Sequence, residues 1–300
     1  NNKLEDLPVE MWTMTSLEEL YLSDNPMKRP HPSVLEKGIP FLLRELKEKW
    51  LRQNKHGEPP EVSTVVVGVR GEIVLPEPRY KKILEGILRH AKVTKSLEMQ
   101  WKELHHIPIG AWDLVELREL RLQNNFLQAS SITNQLTQFT NLTILSLSNN
   151  QLHSFPTVLL KVRSILHLDL SNNYIPELPE KIDKMYKLKT VNFSQNRLTS
   201  IPKRFGKLIE LTEINLDINH IGPTLPDTFC HLHRLKTLKL VKNRLKALPS
   251  TGMLNLTSLT LLNVNSNNIG PTLPDDISYM PNLVDLRLSH NRLKSLPTDF

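Results

Sequence analysis

Cysteine is nearly absent: Cys230 stands alone among 300 residues. No internal disulfide can form, so no disulfide framework supports the fold and nothing points to an oxidising compartment. Glycine is scarce, with ten residues against 21 prolines, the reverse of the usual ranking. No apolar run approaches the ~18 residues of a membrane span; the longest β-branched cluster is Val65-Val66-Val67. Neither sign of charge dominates, since a net +7 at pI 9.4 is a mild excess that does not by itself imply nucleic acid. A 39% hydrophobic content is still enough to bury a sizeable core. The chain does not begin with Met, and Leu4, Leu7 and Pro8 read as the second half of a unit, so a piece of a longer protein is expected.

What is abundant is a repeat. The pattern L-x-x-L-x-L-x-x-N-x-L-x-x-L-P begins at Leu117, Leu142, Ile165, Leu188, Leu211, Leu235, Leu259 and Leu283, in steps of 23 to 25 residues. Its Asn is filled every time, by Asn125, Asn150, Asn173, Asn196, Asn219, Asn243, Asn267 and Asn291. A degenerate copy starts at Thr94, and Leu17, Leu20, Leu22, Asn25 and Met27 form another. In x-L-x-L-x the leucines point one way and their neighbours the other, as in a strand of period two. The Asn turns the chain, its amide satisfying backbone groups that would otherwise be buried unpaired. The Leu-Pro segment returns outside regular helix. Each unit exposes an apolar edge unless a neighbour covers it, so the units must stack.

These residues resemble the leucine-rich-repeat family, in particular its intracellular 23-to-24-residue subgroup of Ras-suppressor and plant Ras-group-related proteins. The match covers residues 1–27 and 94–300. Two copies, with Ile221-Gly222-Pro223 and Ile269-Gly270-Pro271, lean towards the plant-type variant. The resemblance implies an α/β horseshoe solenoid with parallel strands on its concave face, here interrupted by a partly helical segment.

The interruption spans 28–93. Ser33 and Glu36 have capping-box spacing, and Pro40 can open a helix with a Phe41, Leu42, Leu43, Leu46, Trp50 stripe. Residues 53–61 look like a connector, and Val62–Val74 reads as one or two strands around Gly68 and Gly71. A second helix is expected after Pro76 and Pro78, carrying Tyr80, Ile83, Leu84, Ile87 and Leu88 on one face. The economical division is the end of one array plus a helical cap (1–52), a connector (53–75), and a cap with a second array (76–300). The rival is one continuous horseshoe with a looped-out insertion.

Chemistry is thin. Gly68 and Gly71 lack a following Gly-Lys-Ser/Thr, so a phosphate loop is not supported. Cys230, His231 and His233 have no second ligand cluster beside them, and no metal or cofactor is expected. No nucleophile–base–acid set stands out from the repetitive Ser and Asp. The triplets at Asn141, Asn192 and Asn255 are of glycosylation type, but an Asn-rich repeat generates them by chance. Basic stretches at 181–207 and 234–246 suit a solvated face; an acidic protein or an anionic membrane surface is the functional alternative, and nucleic acid is not expected.

Third, fifth and seventh positions of each copy should face the concavity, giving a broad sheet of short polar groups suited to a protein partner rather than a small-molecule pocket. Asn192, on that open face, should be replaceable at a cost within about 0.5 kcal/mol. The expected partner-binding residues are Arg121, Asp169, Asp217, Lys239, Lys242, Asp285, Arg287 and His290, the last six converging where charge is densest. A non-catalytic, cytoplasmic protein–protein interaction scaffold in signalling is the reading. The alternative is the recognition or regulatory region of a larger kinase, GTPase, cyclase or phosphatase. An extracellular receptor would predict Cys-rich caps, which this stretch lacks.

Overall fold

A computed structural model describes residues 66–67, 73–74 and 77–297. The expectations for the array end at 1–52, its capping-box start and Pro40 helix, and the connector at 53–61 lie outside the described residues. The chain divides into two units, 1–85 and 86–300, with the boundary inside a helix.

Strands β1 (Val66–Val67) and β2 (Ile73–Val74) pair antiparallel, Val66 opposite Val74. They flank the two glycines, as the β-branched pattern suggests. Helix α1 (Glu77–Thr94) follows, with Pro78 in its first turn, where a missing N–H costs nothing, and Lys92 in its last. Ala91 on its final turn is buried, and the Lys95 amide closes the helix on the Ala91 carbonyl at 2.8 Å.

Nine parallel strands then form a sheet in strict sequence order. They are β3 (Ser96–Glu98), β4 (Glu119–Arg121), β5 (Ile144–Ser146), β6 (His167–Asp169), β7 (Thr190–Asn192), β8 (Glu213–Asn215), β9 (Thr237–Lys239), β10 (Leu261–Asn263) and β11 (Asp285–Arg287). Equivalent repeat positions face each other, Leu168 opposite Val191 and Asp169 opposite Asn192. Leu168 and Leu170 are buried, at 2% and 0% exposure, which fixes the strand phase read from the repeat. The degenerate copy at Thr94 contributes β3, whose Leu97 is fully buried.

The prolines do more than exclude helix. Pro156, Pro179, Pro202, Pro226 and Pro274 each directly precede a short 3-10 helix: Thr157–Lys161, Glu180–Met185, Lys203–Lys207, Asp227–His231 and Asp275–Tyr279. In each, the Pro carbonyl accepts the amide three residues on, as in Phe205 to Pro202 at 2.9 Å. The ring holds φ near the value a 3-10 turn needs, without requiring a donor. Neighbouring return segments pack closely: a Cβ on Gly206 would sit 1.9 Å from the Thr228 carbonyl oxygen, so only glycine fits. Phe205 stacks on Phe229 at 5.7 Å and Trp112 on Phe139 at 5.7 Å, filling the core between strand and return.

Candidate functional site

After each strand the chain turns through a left-handed residue. Asn124, Asn149, Asn172, Gln195, Ile218, Lys242, Ser266 and His290 all have φ between 50° and 60°. The repeat Asn follows and bridges two copies. Asn196 donates from Nδ2 to the carbonyls of Phe193 (3.1 Å) and Leu170 (2.9 Å) and accepts the Ile175 amide at 3.0 Å. Asn219 repeats this with Leu216, Phe193 and Leu198. Buried backbone groups of both copies thereby find partners.

A second set of polar side chains serves the strand ends. The Oδ1 atoms of Asp169, Asn192, Asn215 and Asn263 accept the amides of Ser171 (2.9 Å), Ser194 (3.2 Å), Asp217 (3.0 Å) and Asn265 (3.2 Å). Lys239 and Arg287 occupy the same position and have no acceptor to offer. In those copies the amide turns to the preceding one: Val241 donates to Asp217 Oδ1 (2.6 Å), and Ser289 to Asn265 Oδ1 (2.7 Å). Thus Asp217 supplies the acceptor that Lys239 cannot. Burial pushes its carboxyl above the ordinary value, opposed by the Val241 amide and by Lys239. The sequence carries a signal for this, an acceptor at the fifth position or else one at the seventh of the copy before.

Six of the eight expected binding residues lie on the open face of the sheet and two do not. Lys242 and His290 occupy the left-handed turn, beyond the strands, because that position precedes the bridging Asn. Arg121 pairs with Glu119 at 3.1 Å and approaches Glu98 at 4.0 Å. Arg287 pairs with Asp285 at 2.7 Å; that hydrogen bond holds the Asp285 carboxyl below its usual value and the guanidinium above its own. The convergence expected around Lys239 and Arg287 is not formed. Strand β10, with Asn263, separates them, about 10 Å across two strand spacings.

A depression of about 390 Å³ lies on this face, lined by Arg121, Gln123, His167, Asp169, Thr190, Asn192 and Lys239 among others. His167 Nδ1 meets Thr190 Oγ1 at 2.8 Å, and the Gln123 side-chain oxygen is buried without a partner. A second depression of about 570 Å³, unforeseen in the sequence, lies by the return segments against Ile132, Phe155, Pro156, Pro176 and Pro179. Cys230 is buried, its thiol pushed up to about 11 by burial and then by Asp227 and Asp276, while the His231 and His233 rings are exposed. Among the described residues no three His, Cys, Asp or Glu stand together as metal ligands. No described helix is long and apolar enough to cross a membrane.

One leucine-rich-repeat model matches residues 209–269 and 233–293, and a second such model matches 141–161 and 187–208. The array has the fold of a leucine-rich-repeat solenoid. A search of the curated proteins gives no match. Among solved structures, a leucine-rich-repeat protein of Leptospira interrogans is similar at 26% identity and a TM-score of 0.57, over 72% of this chain and 60% of that one. The match therefore spans less than two thirds of that relative's length. An internalin of Listeria monocytogenes (inlF) shares the fold at 21% identity and a TM-score of 0.58, covering 67% and 56% of the two chains. The ectodomain of a plant membrane receptor kinase from Arabidopsis thaliana, solved in complex with Casparian strip integrity factor 2, matches at 28% identity and a TM-score of 0.50. That match covers 64% of this chain and 28% of the receptor.

Proposed function

We propose that the chain is a non-catalytic protein-recognition scaffold whose concave face, around Arg121, Asp169 and Lys239, binds a protein partner. The observation that carries this reading is the depression running from β4 to β9, wide, polar and built from regularly spaced side chains. Its hydrogen-bonding groups are spread over six copies, which suits a broad partner surface better than a small molecule. The solved complex of the plant receptor ectodomain lends support by fold analogy. A cytoplasmic signalling role within the Ras-suppressor-like subgroup completes the reading; the 23-to-24-residue period and the lack of a disulfide framework support it.

Affinity capture from cell extract tests it. The set of proteins retained by the wild-type chain should be lost with an Asp169→Arg, Lys239→Glu variant and kept with a Lys181→Glu, Lys203→Glu variant on the return side, both folded by circular dichroism. A set unchanged by the concave substitutions would move the binding surface off the sheet.

A further inference from the structure

A different surface has a more uniform chemistry. Beyond the left-handed turn and the bridging Asn, the chain runs back along the edge of the array in a second ladder. The amides of Arg197, Arg244 and Arg292 donate to the carbonyls of Ile175 (3.0 Å), Ile221 (2.9 Å) and Ile269 (2.8 Å), each in the preceding copy. Lys246 and Lys294 donate likewise to Pro223 (2.7 Å) and Pro271 (2.8 Å). Between them Leu245 is buried and Leu293 half-buried, so the flanking side chains stand outward in register.

The outward positions are the turn residue and the residues two and four beyond it. Across the eight Asn-bearing copies none of these is Asp or Glu. The first copies place Phe126 and Tyr174 there, and the later ones Arg197, Lys242, Arg244, Lys246, Arg292 and Lys294. Four arginines elsewhere on the array have carboxylates beside them: Arg121 with Glu119, Arg204 with Asp183 (3.2 Å), Arg234 with Glu210, Arg287 with Asp285. Among the described residues, none of the six edge cations lies within 4.0 Å of a carboxylate. Exposed and unneutralised like charges in register cost stability and gain nothing internally.

We infer that this edge, from Arg197 to Lys294, is a docking strip for an extended acidic polypeptide segment. The arginines fall on alternate copies, His220 and Asn268 taking the places between. Their spacing is about 10 Å, which three residues of an extended chain span. Guanidinium forks suit carboxylates bidentately. The aromatic neighbours disfavour single-stranded nucleic acid, because each already has a side chain stacked on it. Tyr174 is covered by His153 at 4.9 Å and by Arg197 at 4.7 Å, and Phe126 by His105 at 5.3 Å. A membrane surface would need apolar anchors as well as cations, and the outward positions of this basic half offer only Ile218 exposed.

The test uses the whole chain and a fluorescein-labelled deca-glutamate peptide at low salt, read by anisotropy. Saturable binding is expected, weakened at least tenfold in an Arg244→Glu, Arg292→Glu variant. A Lys181→Glu, Lys203→Glu variant carries the same change of charge on the return side and should stay within twofold. All variants are checked for folding by circular dichroism. No saturable binding, or equal weakening by the charge-matched return-side variant, overturns the proposal. Tighter binding of a twenty-residue oligo-dT, or of phosphatidylserine vesicles, lost in the same edge variant, replaces the acidic polypeptide with that class.

Discussion

The sheet face and the turn edge are built from the same copies, yet they treat polar side chains in opposite ways. On the sheet, Asp169, Asn192 and Asn215 close their own strand ends, and Arg121 and Arg287 are held by carboxylates in the same strand. On the edge, the ladder is made by backbone amides, and among the described residues the side chains of Arg244, Lys246, Arg292 and Lys294 make no ion pair. A variable position in a repeat is therefore not automatically a free one. Where short strands end, the backbone recruits whatever acceptor the variable position supplies; where a buried leucine anchors the edge, the neighbours are left to other purposes.

Adjacent residues sharpen this contrast most. Asn196→Ala removes the partner of three buried backbone groups in two copies and should cost about 2–3 kcal/mol in urea unfolding. Arg197→Ala, one residue further on the edge, loses only a guanidinium over Tyr174 and should cost no more than about 1 kcal/mol. Similar midpoints for the two would mean that the edge is as structural as the turn.

Asn192→Ala comes next. The sequence suggested a negligible cost for an open-face residue, but its Oδ1 accepts both the amide and the hydroxyl (2.8 Å) of Ser194. The expected loss is about 1 kcal/mol, restored by Asn192→Asp, which keeps the acceptor. A loss within about 0.2 kcal/mol for Asn192→Ala would show that water serves the Ser194 amide equally well.

How much of this the sequence carried depends on the range of each constraint. Strand phase and the bridging Asn were legible because a one-residue shift would turn Leu168 and Leu170 outward, and the pattern repeats that constraint in every copy. The helix at Glu77–Thr94 was legible from its apolar spacing and early prolines. The strand-end acceptors were not, because each depends on a pair of positions. Only with the register known does Asp217 become the substitute for a missing acceptor at Lys239. The same ignorance produced the expected gathering of Lys239, Lys242, Arg287 and His290, which places turn residues on strands and overlooks the strand between two of them.

Asp217 gives the finest test of the division between sheet and edge, because its charge and its acceptor can be separated. Burial raises its carboxyl above the value in the unfolded chain. A group raised on folding contributes stability that is complete below the unfolded value and is lost as pH climbs through the folded one. Asp217→Asn removes the ionisation and keeps the oxygen that accepts from Val241. At pH 7 it should be equal to wild type or more stable, within about 0.5 kcal/mol. Below pH 3, where the carboxyl is protonated in both states, the two should coincide. Asp217→Ala, which strands the Val241 amide, should instead lose about 1 kcal/mol below pH 3 and, by the same linkage, no more than that at pH 7. If Asp217→Asn proves less stable at pH 7 and the gap closes in acid, the attraction between Asp217 and Lys239 outweighs burial. Asp217 would then belong with the ion pairs of Arg121 and Arg287 rather than with the backbone acceptors.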